Sequence, residues 1–167
     1  EAGATSTAVA PSELVRRLGA AERQAQQELS SRLSVLGFRN LLAPEHLGSA
    51  GSVASAKAAW SAGADAVRQY RGKVARLERA YEDSVLGSQR AQRWPGEEMR
   101  AWASHQSLAE PAEISQLADL MFSQVSEGLD ILAALSGEYS MKGQSIAFKN
   151  AASATRYTSI RNWVEQR

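Results

Sequence analysis

Residues Pro111 to Leu135 read PAEISQLADLMFSQVSEGLDILAAL, with apolar side chains at Ile114, Leu117, Met121, Phe122, Val125, Leu129, Leu132 and Leu135. Steps of three and four gather them on one side of a helix with 3.6 residues per turn. This is the most regular stripe in the chain. It demands cover from other elements, because packing of an amphipathic face, more than propensity, is what stabilises a helix. Gly128 lies inside the pattern, and a position without a side chain there predicts close approach of another helix.

Immediately downstream the period changes. EYSMKGQSIAF, Glu138 to Phe148, alternates apolar and polar residues around Gly143. If Gly143 and Gln144 form a two-residue turn, Tyr139 faces Phe148, Met141 faces Ile146 and Lys142 faces Ser145. Parity then puts Tyr139, Met141, Ile146 and Phe148 on one side of the two strands. Gly at the first central position suits a type II′ turn. The other reading continues the helix past Gly137, with Gly143 merely separating two helices. The hairpin is the expectation. It would join the preceding helix to a last one over Ala151–Glu165, with Asn150 as N-cap, and its apolar face would cover one end of a helical bundle.

Upstream the pattern is helical. A first helix is predicted from Ser12 to Leu36, with Leu14, Leu18, Ala21, Ala25, Leu29, Leu33 and Leu36 on one stripe and Gly37 as its stop. Pro44, Gly48 and Gly51 then break the chain, leaving one short turn around Pro44 to Leu47. A second helix is predicted from Ala50 to Leu86, with Gly87 as its C-terminal signal. Trp60, Val67, Tyr70, Val74, Leu77, Tyr81 and Val85 share one face of it, and Gly63 and Gly72 weaken it enough to predict a bend. A shorter helix follows from Pro95 to Ser107, where Pro95 suits the first position and Glu97 and Glu98 suit the first turn. The expected fold is therefore all-α: an antiparallel bundle of four main helices plus a short one, with a small β-hairpin near 138–149. Residues 12–167 form one domain in this reading, and the small, polar, aperiodic residues 1–11 form a disordered tether.

A chain of 167 residues can bury a core without disulfides or metal. It has no cysteine, which removes disulfide frameworks, thiol catalysis and cysteine-ligated zinc. With 19 basic and 18 acidic side chains its net charge is +1, so no global field draws it to nucleic acid. No run of 18 apolar residues offers a membrane span. Fifteen Arg against four Lys, with abundant Ala, is the habit of a GC-rich bacterial genome.

Motifs of catalysis are missing from the sequence. There is no G-x-S-x-G, no P-loop and no G-x-G-x-x-G. The two histidines, His46 and His105, lack a helical i+3 or i+4 partner of metal-binding type, and the Glu-x-x-His pattern of di-iron bundles does not occur. Adjacent Glu45 and His46 point in different directions. No catalytic residue, cofactor or metal is expected.

The one concentration of charge is RQYRGKVARLER, Arg68 to Arg79. Arg68, Arg71, Arg76 and Arg79 lie opposite the apolar face of the second helix, where they could meet an acidic partner or anionic lipid headgroups. The plainer reading is a solvated face with Glu78 and Glu82 as counter-charges. Aromatic residues do not interleave with these cations as single-strand binding requires. Of the tryptophans Trp60, Trp94, Trp102 and Trp163, each is expected in the core.

Gly143, Ile146 and Phe148, followed by a polar helix carrying Tyr157, resemble the C-terminal end of uncharacterised bacterial envelope lipoproteins of helical type. The resemblance covers the last quarter of the chain. It implies an extracytoplasmic, periplasmic or envelope-associated protein, tethered by an N-terminal anchor preceding Glu1, and it carries no catalytic residue with it. The resulting expectation is a non-enzymatic, envelope-associated helical protein that binds a protein partner. The alternative is a ligand-sensing extracytoplasmic bundle of a receptor, holding a small molecule between its helices. Oligomeric state is not legible, since apolar stripes serve cores and interfaces alike.

Overall fold

A computed structural model describes residues 10–43, 46–91, 96–106, 112–143 and 145–166. Helix α1 spans Pro11–Val35 and α2 Ala50–Ala91, then come α3 at Gly96–Gln106 and α4 at Ala112–Ala134. Strands β1, Tyr139–Lys142, and β2, Ser145–Phe148, precede α5 at Ala151–Glu165. The class is all-α, with bundle-type helix packing and one two-stranded antiparallel hairpin.

Local chemistry accounts for most boundaries. α1 ends where Gly37 turns left-handed at φ 63°, and a 3₁₀ turn over Phe38–Asn40 follows at once. It is additional to the turn expected around Pro44 to Leu47, where His46 N donates to Ala43 O at 2.9 Å; Pro44 and Glu45 lie outside the described residues. α2 opens on a reciprocal cap: Ser52 N donates to Ser49 Oγ at 3.2 Å, and Ser49 N donates to Ser52 Oγ at 3.0 Å. Each serine thereby satisfies a backbone donor that the helix start leaves orphaned. α5 begins as expected, with Ala152 N donating to Asn150 Oδ1 at 2.9 Å. The residues expected to form the tether lie, up to Val9, outside the described residues, as do Trp94, Pro95, Ser107 and Pro111.

One boundary is corrected. α2 does not stop at Gly87 but continues to Ala91, and Gly87 keeps a right-handed helical backbone. A glycine inside a helix costs only about 1 kcal/mol. Val85, fully buried against its neighbours, holds this part of the helix in place. Gly63 and Gly72 likewise lie within uninterrupted helix.

The hairpin has the register read from the alternation: Tyr139 pairs with Phe148, Ser140 with Ala147, Met141 with Ile146 and Lys142 with Ser145. Gly143 sits at φ 60°, the positive value that a primed turn demands at its first central residue. Gln144 lies outside the described residues. Tyr139, Met141, Ile146 and Phe148 are half-buried, whereas Ser140 and Lys142 are exposed. The ladder runs one pair further, with Lys149 N donating to Glu138 O at 2.9 Å.

The chain forms two compact units. The first comprises the described residues of Glu1–Leu29 and Arg68–Glu110, and the second those of Ser30–Val67 and Pro111–Arg167. In the first, Leu14 and Leu18 of α1, Val85 of α2 and Trp102 of α3 form a buried cluster, flanked by Val15, Leu77 and Tyr81. In the second, Val53 and Trp60 of α2 meet Val125, Leu129 and Leu132 of α4, with Leu41 and Leu47 from the α1–α2 connection. Phe38 stacks on Trp60 with ring centroids 4.7 Å apart and planes 9° off parallel, and Phe122 tilts against both. The Trp60 indole donates to Phe122 O at 3.0 Å, which satisfies its one polar atom.

The α4 stripe is not core along its whole length. Val125, Leu129 and Leu132 are buried and Leu117, Met121, Phe122 and Leu135 half-buried, but Ile114 is 53% exposed. Periodicity records which side of a helix is apolar. It does not record how far along the helix a neighbour reaches. Trp60 and Trp102 are buried as expected, and Trp163 is half-buried.

Candidate functional site

In the second unit, four residues of α4 and four of α5 repeat the same spacing. Val125, Gly128, Leu129 and Leu132 follow i, i+3, i+4, i+7, and so do Tyr157, Ile160, Arg161 and Val164. Each set is therefore a single helix face. Between the two faces lies a cleft of about 350 Å³, walled at its remaining sides by Leu42, Leu47 and Ile146. This volume falls within the range of roughly 300–1,000 Å³ typical of small-molecule sites.

Several contacts fix the walls. Gly128 faces α5, and a methyl at its Cα would sit 3.5 Å from Ile160 Cγ2 and 3.9 Å from Tyr157 Cε2, ordinary contacts, so the helices do not approach there as closely as a glycine alone would allow. Glu127 of α4 accepts from Arg156 of α5, the Arg156 Nε bond being 3.0 Å long. Asp130 of α4 pairs with Lys57 of α2. The Tyr139 hydroxyl donates to Leu47 O at 2.9 Å and so pins the connection that carries Leu47. Burial pushes the Tyr139 phenol pKa above its ordinary value, which keeps this donor protonated. Tyr157 is held from the hairpin side by Phe148, with ring centroids 5.4 Å apart.

Chemically the described lining is mainly apolar, with Tyr157 and Arg161 as its two residues that carry a polar side-chain group. Among the described residues Arg161 is its one charged lining residue, and no carboxylate, histidine, serine or lysine lines it. Its geometry can hold an apolar body and orient a polar end.

The residues singled out from sequence lie elsewhere. Arg68, Arg76 and Arg79 are exposed and Arg71 half-buried on α2, spread over about three turns of helix. Glu78 lies within this stretch and Asp65, Glu82 and Asp83 flank it, and Lys73 donates to Glu28 Oε2 of α1 at 2.6 Å. None of the four arginines lines the cleft. His46 is exposed. His105 is half-buried in the first unit, its Nε2 lying 3.4 Å from Glu22 Oε1 and its ring 6.1 Å from that of Trp102. That carboxylate comes from α1, beyond the reach of any local spacing rule. Among the described residues no group of three His, Asp or Glu could hold a metal ion, and no helix is long and apolar enough to cross a membrane.

Sequence reasoning singled out none of the cleft's lining residues as a site residue: Val125, Leu129 and Leu132 were expected as core and Ile146 in the hairpin, and Leu42, Ile160, Arg161 and Val164 carried no reading. A usable signal was present on α5: Tyr157, Ile160 and Val164 form a short apolar face with a cation set inside it. Compared with known proteins, the chain matches no family model, no curated protein and no solved structure.

Proposed function

We propose that this is a non-enzymatic ligand-binding helical protein of the cell envelope, whose cleft between α4 and α5 takes a small, mainly apolar molecule. The observation that carries the reading is the cleft itself: two matched helix faces flanking an open, mainly apolar cleft of about 350 Å³. Largely preformed concave sites with few polar groups are where small ligands bind. Its described lining residues are mostly aliphatic, which supports binding of an apolar molecule. The envelope location draws its support from the resemblance of the last quarter to helical lipoproteins.

A second reading is favoured by one specific observation. Ile114 and Leu120 on α4 are 53% and 46% exposed, and such residues suit contact with a protein partner. Native mass spectrometry on protein purified gently from its own host separates the two. A bound species of small-molecule mass, released on denaturation, is the expected result. A bare chain, together with a co-purifying protein in stoichiometric amount, would overturn the ligand reading in favour of the partner.

A further inference from the structure

We propose that the outer edge of β1 pairs with the same edge of a second copy of this chain, two-fold about Ser140, so that two hairpins join into one antiparallel sheet. A two-stranded hairpin leaves an outer edge on each strand, a row of backbone donors and acceptors open to another chain. In an antiparallel ladder, residue pairs that exchange N–H···O bonds alternate with pairs that do not. Lys149 N donates to Glu138 O, so that pair is of the bonded kind, and by alternation so are Ser140 with Ala147 and Lys142 with Ser145. Tyr139 and Met141 therefore turn their N–H and C=O groups outward. Among the described residues, none bonds to these outward backbone atoms.

The two edges differ in cover. β2 packs against α5, with the Phe148 and Tyr157 ring centroids 5.4 Å apart, and Ile146, Ala147 and Phe148 are all half-buried. Along β1 and just before it, the residues that alternate with Tyr139 and Met141 are exposed: Glu138, Ser140 and Lys142. β1 presents the open edge.

Charge complementarity names the occupant. With the two-fold axis at Ser140, Tyr139 stands opposite the second copy's Met141, and Glu138 opposite the second copy's Lys142. Tyr139 and Met141 are the outward-turned residues, so each such pair exchanges its backbone bonds in the correct phase. The pairing of Glu138 with Lys142 occurs on both sides of the axis, and opposite charges directly across two strands are stabilising. Neither side chain has an ion pair or hydrogen bond within its own chain. A lysine alone on an edge disfavours pairing with another chain. Here the register sets it against a glutamate, which makes the edge self-complementary, as a two-fold interface requires of a single patch. Residues directly opposite point to the same face, so the apolar sides of both hairpins lie on one side of the joined sheet.

The edge is short, so the dimer is weak and the test needs a range of concentration. Sedimentation equilibrium of the full chain from about 10 µM to about 1 mM is expected to show monomer passing into dimer, as small interfaces do. Over the same range, amide hydrogen exchange should find Tyr139 and Met141 unprotected in dilute protein and protected as the dimer forms. Ser140, bonded within its own hairpin, should not change. Lys142→Glu and Glu138→Lys each set like charges across the axis twice and should weaken association about tenfold. The two substitutions combined should restore it. Both positions are exposed, so these variants keep the fold, and far-ultraviolet circular dichroism checks that they do. Protection of Tyr139 and Met141 already present in dilute protein overturns the proposal, since the chain then covers its own edge. A chain that stays monomeric to about 1 mM overturns it too, and leaves the edge to an extended segment of a different protein. A dimer that neither charge reversal weakens uses another surface and equally overturns it.

Discussion

The two units bury apolar surface by different means. In the first, Leu14, Leu18, Val85 and Trp102 form a small cluster with one buried aromatic ring. Around it the ties between elements include a half-exposed ion pair, Lys73 with Glu28, and the approach of His105 to Glu22. Exposed pairs of this kind contribute about 0–1 kcal/mol and fade with salt. In the second, three aromatic rings touch one another, and two side chains donate to backbone carbonyls far along the chain, Trp60 to Phe122 and Tyr139 to Leu47. Directional contacts specify one arrangement, whereas a few aliphatic contacts with solvated charges tolerate several. The cleft occurs in the unit whose walls are held directionally, and a site that must keep its shape needs such walls.

Breaking the aromatic centre should have the largest effect. Trp60→Ala removes a stacked, hydrogen-bonded side chain and should cost about 3–5 kcal/mol by urea unfolding, with loss of amide protection in α4 and the hairpin. A cost below that of Trp102→Ala in the first unit would refute the contrast drawn between the two cores.

Gly63→Ala comes next. A methyl there overlaps the Phe38 ring, which cannot retreat without leaving its stack on Trp60. Overpacking costs about 1–3 kcal/mol and better helix propensity returns up to about 1, so thermal melts should show a net loss of roughly 1–2 kcal/mol. Gly128→Ala sharpens the point by having the opposite sign. Its methyl meets Ile160 at 3.5 Å, an ordinary contact, so the helix should gain about 0.5–1 kcal/mol.

The smallest effect belongs to the first unit. Hydrogen bonds from Arg16 and Arg17 hold the Glu13 carboxyl down to about 2 from its ordinary 4.5. The unfolded chain therefore takes up this proton first as the solution is acidified. The stabilisation is fully present above pH 4.5 and is lost as pH falls through about 2. Urea midpoints measured across this window should fall slightly less steeply in Glu13→Gln than in the parent, and added salt should shrink the difference. A larger change than that of Gly128→Ala would mean that surface charge matters more to this unit than its exposed geometry allows.

How far the sequence reaches can be judged residue by residue. The hairpin register was readable because strand parity and the turn glycine Gly143 converge on one alignment within eleven residues. Gly37 and Asn150 were readable for the same reason, since caps are local chemistry. The end of α2 was not, because the burial of Val85 against Leu14, Leu18 and Trp102 outweighs the weak stop at Gly87. Ile114 was misplaced in the core, since the pattern gives a direction and not the extent of a neighbour. The cleft was hidden because it belongs to a pair of helices: neither face of α4 or α5 is concave until the other is set against it.

The bond from Tyr139 to Leu47 joins residues 92 positions apart, and the one from Trp60 to Phe122 spans 62. Between these partners the ribosome must make all of Arg68–Glu110, which belongs to the other unit. Phe38, Trp60 and Leu47 therefore emerge long before α4 and the hairpin exist to cover them. A nascent chain arrested before Pro111 presents their apolar surface to chaperones and to other chains, and the wall of the cleft is set only when the last third of the polypeptide has been synthesised.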